Sequence, residues 1–246
     1  MRVSIITIAY NSEKEIGRTI ESVLAQNYRD MEYLIIDGAS TDKTVAKAEA
    51  YRKAFERKGI TYRIYSEPDR GIYDAMNKGI MQAEGDIIGI INSGDRYATK
   101  AVRTAVQTFQ KTKCELMFGN VGIRSGGRLC FVKKARQRRL YQTSRDWNHP
   151  TMFVKGELYK QYPFRALGIH DDYGFYLRMR KQKRRIVTVN ALLADFELGG
   201  ASNHKSLKEA KKRILDRYRF CYRMNGYSRL YLLECIGIEV AKWLVG

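Results

Sequence analysis

The 246-residue sequence predicts an α/β protein, with a mainly parallel sheet, helices on both faces and a C-terminal helical extension. Four strand-like segments alternate with segments of helical periodicity through the first hundred residues. Crossovers of that length join parallel strands and place helices on both faces of the sheet. The tail from Leu207 shows two further helical patterns, separated by Asn225 and Gly226.

The first strand and helix are predicted from the segment VSIITIAYNSEKEIGRTIESVL. Its opening is continuously apolar, which is typical of a strand buried on both faces of a parallel sheet. Ile16, Ile20 and Val23 then recur at helical spacing, and an acidic first turn suits the positive end of the helix dipole. We therefore expect a helix from Glu13 to Leu24.

The later elements follow the same alternation until about Thr99. A second strand around Leu34–Ile36 precedes a run of capping residues, which predicts one helix through about Arg57. A third strand, ITYRIYSEP, leads into a helix predicted over Ile72–Gln82, and the fourth strand is DIIGIINSGD. Beyond Thr99 we expect an α+β half that includes a basic, hairpin-like stretch.

Basic residues dominate the second half of the chain. The formal net charge is +19, from 45 lysines and arginines against 26 acidic residues, and the basic residues concentrate in Lys133–Arg145, Arg178–Arg185 and Lys205–Arg223. Such an excess predicts attraction to a polyanion. Nucleic acid, an anionic membrane surface and a diphosphate substrate each explain it.

Several sequence features that this chain lacks favour a location in the cytoplasm. The four cysteines are widely spaced without a CxxC pair, so neither a zinc site nor a disulfide framework is indicated. The apolar start meets polar residues by Asn11, unlike a secretory signal. The apolar tail is interrupted by Glu234, Glu239 and Lys242, and it is shorter than the roughly 20 apolar residues of a membrane-spanning helix.

Polar residues follow each of the four predicted strands. They are Asn11, Asp37, the run Glu67–Asp69 and the run Asn92–Asp95. A single such residue is as readily a turn or cap residue, but in a parallel sheet the carboxyl ends of the strands meet in one crevice. Carboxylates and amides there can bind a ribose, a base edge and, through a divalent cation, a diphosphate.

The motifs resemble those of glycosyltransferase family 2, whose members share the GT-A fold. The similar stretches are VSIITIAYNSEKEIGRTIESVLAQNY, EYLIIDGASTDKT, SEPDRGIYDAMNKGI and DIIGIINSGD, in that order. The colanic-acid type is most similar, because it shares the NSGD variant and a late segment like Gly199–Ser202. The resemblance implies a catalytic domain over residues 1–203, with a nucleotide-sugar half (1–97) and an acceptor half (98–203), followed by basic, amphipathic helices over 204–246.

The resemblance also implies which residues bind the donor. The nucleotide pocket would be lined by Thr7, Ala9, Tyr10, Asn11 and Gly38, and Asp37 would accept a hydrogen bond from the base. A carboxylate accepts strongly from an imino N–H. Tyr10 could instead be a core aromatic, and Ser40 and Asp42 are more readily explained as helix caps than as ligands.

The segment EPDRGIYDAMNKG is expected to approach the diphosphate. It contributes Asp69, Arg70, Asp74 and Lys78, the last two on the first turns of a helix. Arg70 and Lys78 are the natural phosphate partners. The alternative is a surface salt bridge between Asp74 and Lys78, worth only about 0.3–0.5 kcal/mol.

The fourth strand ends where the family carries a DxD motif that binds a divalent metal. Here the matching run is Ser93, Gly94 and Asp95, preceded by Asn92, so one carboxylate of the motif remains. Asp95 is the predicted ligand for Mn²⁺ or Mg²⁺, because such cations take phosphates and waters as their other ligands.

The acceptor side is predicted from HDDYGFYLRMRKQ, which resembles the late acidic pair of the family. By that resemblance Asp172 is the general base that an acceptor hydroxyl needs, and Asp171 is its neighbour. Either could be a helix cap. His149 falls where the colanic-acid type also has a histidine, and it either faces the acceptor or is structural.

These assignments predict an inverting glycosyltransferase that uses a nucleoside-diphosphate sugar, with UDP the first choice. We expect a lipid-linked or oligosaccharide acceptor in bacterial surface polysaccharide synthesis, such as capsule or lipopolysaccharide, and peripheral association with the cytoplasmic membrane face. The alternatives are a sugar nucleotidyltransferase and a basic nucleic-acid-binding module. The first should carry a Gly-rich, Arg- and Lys-containing loop where this chain has AYNSEKE, and the second leaves the strand-end acids unexplained, so we expect no nucleic-acid partner.

Overall fold

The computed structural model describes residues 1–198 and 206–245, so Gly199–Ser202 lies outside the described residues. The chain forms two compact units. Met1–Pro163 and Arg185–Leu198 form the first, and Phe164–Arg184 groups with the C-terminal segment in the second. The predicted boundary at residue 203 differs from this division, because the segment with the predicted catalytic base groups with the C-terminal helices and not with the sheet.

The described strands form a single nine-stranded sheet in the first unit. In chain order they are β1 (Val3–Ala9), β2 (Met31–Asp37), β3 (Thr61–Ser66), β4 (Ile87–Asn92), β5 (Arg96–Tyr97), β6 (Leu116–Ser125), β7 (Arg128–Lys133), β8 (Phe153–Lys155) and β9 (Ile186–Glu197). The four predicted strands of the first half, and the hairpin of β6 with the basic β7, are all present.

Six helices accompany the sheet. They are α1 (Ile16–Leu24), α2 (Thr44–Glu49), α3 (Arg52–Arg57), α4 (Ile72–Gln82), α5 (Ala101–Thr112) and α6 (Gly156–Gln161). The predicted helix α4 is confirmed at both ends. The single helix predicted through Arg57 is instead two helices, α2 and α3. The break lies where the Tyr51 N–H donates to the carbonyl of Ala48, three residues earlier. α1 begins three residues later than predicted, and the Glu13 N–H at the predicted start donates to the Asp42 carboxylate.

The sheet is parallel in its first half and mixed in its second. Its order is β3-β2-β1-β4-β8-β6-β9-β5, with β7 on β6. β1, β2, β3 and β4 are joined only by parallel pairings, whereas β8 is antiparallel to β4 and β6, and β9 is parallel to β6. The expected α/β class is confirmed, but the mainly parallel character applies only to the first four strands.

Successive residues of β1 show that helices cover both faces of this part of the sheet. Ile5 belongs to the core that includes Ile20 of α1 and Phe55 of α3. Ile6 points to the opposite face, where it meets Gly79 of α4. A Cβ at Gly79 would lie 2.6 Å from Cγ2 of Ile6 and 3.0 Å from Cγ1 of Ile36. The missing side chain therefore lets α4 pack closely on the strands whose ends form the candidate site.

The second unit contains three α-helices among the described residues. They are α7 (Asp171–Lys181), α8 (Leu207–Asp216) and α9 (Tyr231–Val245), with a π-helical turn (Arg217–Tyr222) and a 3₁₀ turn (Arg223–Asn225) between the last two. The two helical patterns predicted for the tail are thus confirmed. No helix in the described part of the chain is both long and apolar enough to cross a membrane.

The close packing of α4 gives a first prediction. Gly79→Ala should lower the free energy of unfolding by about 1–3 kcal/mol, because the new methyl group overpacks against Ile6 and Ile36. Gly237→Ala is the matched control. It places the same methyl group in a helix with nothing within 4 Å, so it should be neutral or add up to about 1 kcal/mol. Urea unfolding measures both, and a Gly79→Ala protein as stable as the wild type would contradict the close packing.

Candidate active site

The carboxylate of Asp37 joins the ends of β2 and β3. Asp37 is fully buried. It accepts hydrogen bonds from the Ser40 N–H (2.9 Å), the Ser40 hydroxyl and the Ser66 hydroxyl (2.7 Å). A carboxylate has about four acceptor positions, so three are used within the protein. Asp37 therefore organises the surrounding loops and retains acceptor capacity for one more donor.

Asn11 links the loop after β1 to the loop after β2. Its backbone has a positive φ of 44°, a conformation that asparagine tolerates well. Its N–H donates to the Ser40 hydroxyl at 2.8 Å, and its side-chain oxygen accepts from the Thr41 N–H at 2.9 Å. Asp42 accepts from the N–H groups of Glu13 and Thr44. Ser40 and Asp42 thus tie two loops together, a larger role than the helix capping expected of them.

Tyr10 and Asp69 both lie against Gly38. A Cβ at Gly38 would be 2.5 Å from the Asp69 Oδ2 atom and 3.3 Å from the Tyr10 ring. The Tyr10 side chain is 63% exposed, so the alternative of a core aromatic is wrong. Glycine is required at position 38 because three loops approach one another there.

Thr7 and Ala9 lie inside the strand rather than in an open pocket. Thr7 is fully buried, and its hydroxyl accepts a hydrogen bond from the Tyr33 hydroxyl at 2.9 Å. The Thr7 hydroxyl is thus directed into the core, and a role for Thr7 in lining the nucleotide pocket stays a prediction. Ala9 is also buried, and its carbonyl accepts from the Gly38 N–H at 2.9 Å.

The segment before α4 and the first turns of α4 together carry a chain of ion pairs. The Asp74 carboxylate accepts from the Arg70 N–H at 3.0 Å and lies 3.4 Å from the Arg70 guanidinium. Lys78 Nζ lies 2.8 Å from the Glu67 carboxylate and 4.0 Å from that of Asp74. The salt-bridge alternative is therefore present in this structure. Because the Arg70 side chain is 91% exposed, its pairing with Asp74 is a weak, exchangeable contact.

The loop after β4 contains buried polar atoms. Gly94 has a φ of 102°, which favours glycine, and its N–H donates to the Thr19 hydroxyl at 2.9 Å. The side-chain oxygens of Asn92 and Ser93 are buried without a hydrogen-bond partner in the structure. Buried polar atoms are usually hydrogen-bonded, so both oxygens have acceptor capacity for a donor group or a cation.

Asp95 lies at the end of this loop and is almost completely buried. Its Oδ1 atom accepts from the Glu197 N–H at 3.3 Å. Burial raises the pKa of Asp95 to about 8, and the negative charge of Glu197 adds to the rise. Glu197, at the end of β9, was not singled out from the sequence, because its sequence separation from Asp95 gives no sign of their proximity.

The predicted acidic pair opens α7 in the second unit. His170 occupies the N-cap position, and Asp171 and Asp172 form the first turn, where the helix dipole favours negative charge. Asp171 is buried and accepts from the Ala166 N–H at 2.8 Å, and burial raises its pKa. Asp171 therefore has a structural role in holding the preceding loop, while Asp172 is only partly buried.

The C-terminal π-helical turn supports the start of α7. Arg217 lies 2.9 Å from Nε2 of His170, and the Cys221 thiol donates to the His170 carbonyl at 3.1 Å. Asn225 donates to the carbonyl of Gly174 at 3.2 Å. The sequence showed only a basic helical pattern in this segment, and the spacing of its residues did not indicate that it would contact the start of α7.

His149 begins a 3₁₀ turn in the first unit and is partly buried. Its ring lies edge-on to Trp147, with 6.0 Å between the ring centroids. Its neighbours Asn148 and Thr151 both bond to the carbonyl of Gly119. This packing agrees with the structural alternative, and an acceptor role for His149 stays a prediction.

Comparison with known proteins identifies the family to which this chain belongs. The family model described as "Glycosyl transferase family 2" matches residues 4–168, about two thirds of the chain. The chain belongs to glycosyl transferase family 2. The match covers every strand-end loop described above, so the resemblance seen in the sequence is confirmed.

Relatives in sequence are bacterial glycosyltransferases. An uncharacterised glycosyltransferase of Mycobacterium tuberculosis is 45% identical over 97 residues, which cover 39% of this chain and 35% of that protein. TuaG of Bacillus subtilis, named for teichuronic acid biosynthesis, is 30% identical over 116 residues, 47% of this chain and 45% of TuaG. GlyG of Streptococcus pneumoniae is 24% identical over 207 residues, 76% of this chain and 68% of GlyG. The matches therefore span less than half of the first two relatives.

Solved structures confirm the GT-A fold. The mannosyltransferase PcManGT of Pyrobaculum calidifontis, in complex with GDP-Man and Mn²⁺, is similar with a TM-score of 0.68 and 17% identity, over 99% of this chain and 75% of that one. TarS of S. aureus in complex with UDP-GlcNAc has a TM-score of 0.66 and 17% identity, over 98% of this chain and 72% of that one. Identity this low supports the fold alone.

The residues around Asp95 are compatible with a divalent cation only as part of a donor complex. Within residues 1–198 and 206–245, no group of three His, Cys, Asp or Glu side chains could hold a metal ion. Asp95 could supply one hard oxygen ligand, and the unpartnered oxygens of Asn92 and Ser93 belong to the same loop. Such a site requires ligands from phosphates and water to complete it.

The pKa of Asp95 predicts a pH dependence of stability in metal-free buffer. An unfolded aspartate ionises near 3.9, whereas Asp95 keeps its proton up to about pH 8, so the folded state binds more protons between these values. Stability should fall as pH rises through this interval, by at most about 1.4 kcal/mol per pH unit from this group. Asp95→Asn should remove this contribution, so its free energy of unfolding should depend less on pH. If the free energy of unfolding of the two proteins changes with pH in the same way between pH 4 and 8, the assignment is contradicted.

Proposed function

We propose that this chain is an inverting glycosyltransferase that transfers a sugar from a nucleoside-diphosphate sugar, with UDP-sugar the first choice, to an acceptor hydroxyl. One observation carries the proposal: hydrogen bonds around Asp37 connect the carboxyl ends of β1, β2 and β3 to one another. These loops follow parallel strands at their carboxyl ends, where α/β proteins bind nucleotides. Family membership adds independent support.

The donor's base would lie between the exposed Tyr10 ring and the Asp37 carboxylate. Asp37 has capacity for one more donor, such as the imino N–H of uracil. Asp37 is fully buried, so this contact requires Tyr10 or Asp69, the side chains against Gly38, to move aside. Gly38 would let the base approach the backbone, and Asn11 would hold the loop that it follows.

The diphosphate would displace the two ion pairs at the start of α4, which join Arg70 to Asp74 and Lys78 to Glu67. Arg70 would exchange its weak contact with Asp74 for a phosphate, and Lys78 would do the same with Glu67. A doubly charged diphosphate is a stronger partner for both cations than a solvated carboxylate. Their present pairing keeps the two cations near the loop.

Asp95 would hold Mn²⁺ or Mg²⁺ that arrives with the donor, and the loop Asn92–Gly94 would surround it. When bound, the cation neutralises charge on the departing diphosphate. Removing the proton from Asp95 is costly in the free protein, because the carboxylate is buried. A cation beside it would favour the ionised form, so donor and metal are expected to bind together.

Asp172 is the proposed general base. The acceptor oxygen would form a bond to the anomeric carbon while the bond from that carbon to the diphosphate oxygen breaks and its electron pair leaves with the diphosphate. Asp172 would take the hydroxyl proton in the same step. Asp172 lies in the first turn of α7 and is only partly buried, so its carboxylate is accessible to an acceptor hydroxyl. Asp171, which holds the Ala166 N–H, would position it.

We propose a lipid-linked or oligosaccharide acceptor of a bacterial surface polysaccharide, and peripheral attachment to the cytoplasmic face of the membrane. TuaG, named for teichuronic acid biosynthesis, supports the first part by similarity. The net charge of +19 supports attraction to anionic lipid and to a pyrophosphate-linked acceptor. The family match and the joined loops favour a transferase over a nucleotidyltransferase or a nucleic-acid-binding protein.

A thermal-shift panel of UDP, GDP and dTDP, each with and without Mn²⁺, tests the donor assignment. A ligand that binds the native state raises stability by about 2.7 kcal/mol at a hundred times its Kd. We expect UDP to raise the melting temperature, and to raise it more with Mn²⁺. Asp172→Asn should keep this shift and lower sugar transfer by about 100-fold or more, because only the base is lost.

The thermal-shift panel and the transfer assay of Asp172→Asn test two separate assignments. If none of the nucleotides shifts the wild-type protein, the donor site is wrong. If Asp172→Asn retains full transfer activity, Asp172 is not the base although the donor site stands.

A further inference from the structure

Helix α9 buries an acidic residue on its inward side and exposes aliphatic residues on its outward side. Tyr231, Cys235 and Glu239 follow one another at four-residue intervals, and all three are at most 4% exposed. They form one inward stripe, as residues at this spacing share a helix face. An acidic residue in an inward stripe is the reverse of the usual pattern for a surface helix.

Both glutamates of α9 are held inward by specific partners in the second unit. The Glu239 carboxylate accepts from Nε and from a terminal nitrogen of Arg213, at 3.0 and 2.7 Å. The Glu234 carboxylate accepts from the Tyr222 hydroxyl at 2.9 Å. Neither negative charge is therefore available to the outward side of the helix.

The outward side presents aliphatic side chains. Leu230, just before the helix, is 65% exposed, Leu233 is 67%, Ile236 is 40% and Val240 is 51% exposed. We call these four residues the outer face of α9. Gly237 lies between them, with nothing within 4 Å of the position a Cβ would take. A contiguous exposed apolar stripe on a helix marks a contact site for another apolar phase.

Exposed positive charge lies at the N-terminal end of this face. Arg223 and Arg229 are exposed, and so is Met224 between them. Arg229 directly precedes Leu230, the first residue of the outer face. An apolar helix face flanked by arginines is typical of helices that lie in the plane of an anionic membrane surface.

We propose that the outer face of α9 is the part of the protein that inserts into an anionic lipid bilayer, with Arg223 and Arg229 at the headgroups. This inference deepens the proposed function, since it names the surface through which the membrane association would occur.

Lipid explains this face better than a second copy of the chain does. A stable protein interface takes about 20 to 30 residues a side, and its core is usually depleted of charge. The outer face offers four aliphatic side chains, with two exposed arginines at one end. A bilayer needs no matching shape, and its anionic headgroups would neutralise those arginines.

Flotation with lipid vesicles tests the proposal. The full chain should float with phosphatidylglycerol-containing vesicles and much less with pure phosphatidylcholine. The double variant Leu233→Glu/Val240→Glu should lower the partition coefficient by roughly tenfold or more, because burying even one such side chain contributes about a factor of ten. Met81→Glu is the matched control, since Met81 is also apolar and 65% exposed but lies on α4 in the other unit. It should float like the wild type.

Three outcomes would overturn the proposal. The double variant could float as well as the wild type, or Met81→Glu could lose flotation equally. Light scattering without vesicles could show a wild-type dimer that becomes monomeric in the double variant, which would make the outer face a protein interface. A UDP thermal shift on each variant separates these results from a failure of the donor site, because none of the substituted residues is among the predicted donor-binding residues.

Discussion

The carboxylate of Asp37 is the interaction on which the donor side of this protein depends. It ends β2 without solvent exposure and without a cation among its hydrogen-bond partners, and its charge is satisfied by the Ser40 N–H and by two serine hydroxyls. Ser40 in turn receives the N–H of Asn11. Three strand ends are thereby joined before any ligand arrives. Such pre-organisation lowers the ordering cost of binding a nucleotide.

Much of this half follows from the sequence, because the physical signals are local. Continuous β-branched runs predicted the four parallel strands, and the pattern after Gly71 predicted both ends of α4. The break between α2 and α3 was missed, because a continuous helical pattern does not show where a backbone N–H turns back to a nearer carbonyl. The core position of Thr7 was missed for a related reason, since its hydroxyl partner Tyr33 lies on the neighbouring strand.

The second unit was less predictable because its contacts join distant parts of the chain. Glu234 and Glu239 were taken as charges that interrupt an apolar tail, whereas the structure turns both inward to Tyr222 and Arg213. The aliphatic side chains of Leu233, Ile236 and Val240 face outward instead. The support of α7 by Arg217 and Cys221 depends on the same long-range packing, and it makes the C-terminal helices part of the unit that carries Asp172.

Calorimetric titration of UDP into wild-type protein and Asp37→Asn tests the central claim most directly. An amide retains a single acceptor oxygen, so it cannot hold both serines and a base, and UDP binding should weaken by about tenfold or more. Asp30→Asn, at the other end of the same strand, should bind like the wild type, because that carboxylate is 60% exposed. Equal UDP affinity for the wild type and for a folded Asp37→Asn protein would contradict the claim that this carboxylate organises the donor site.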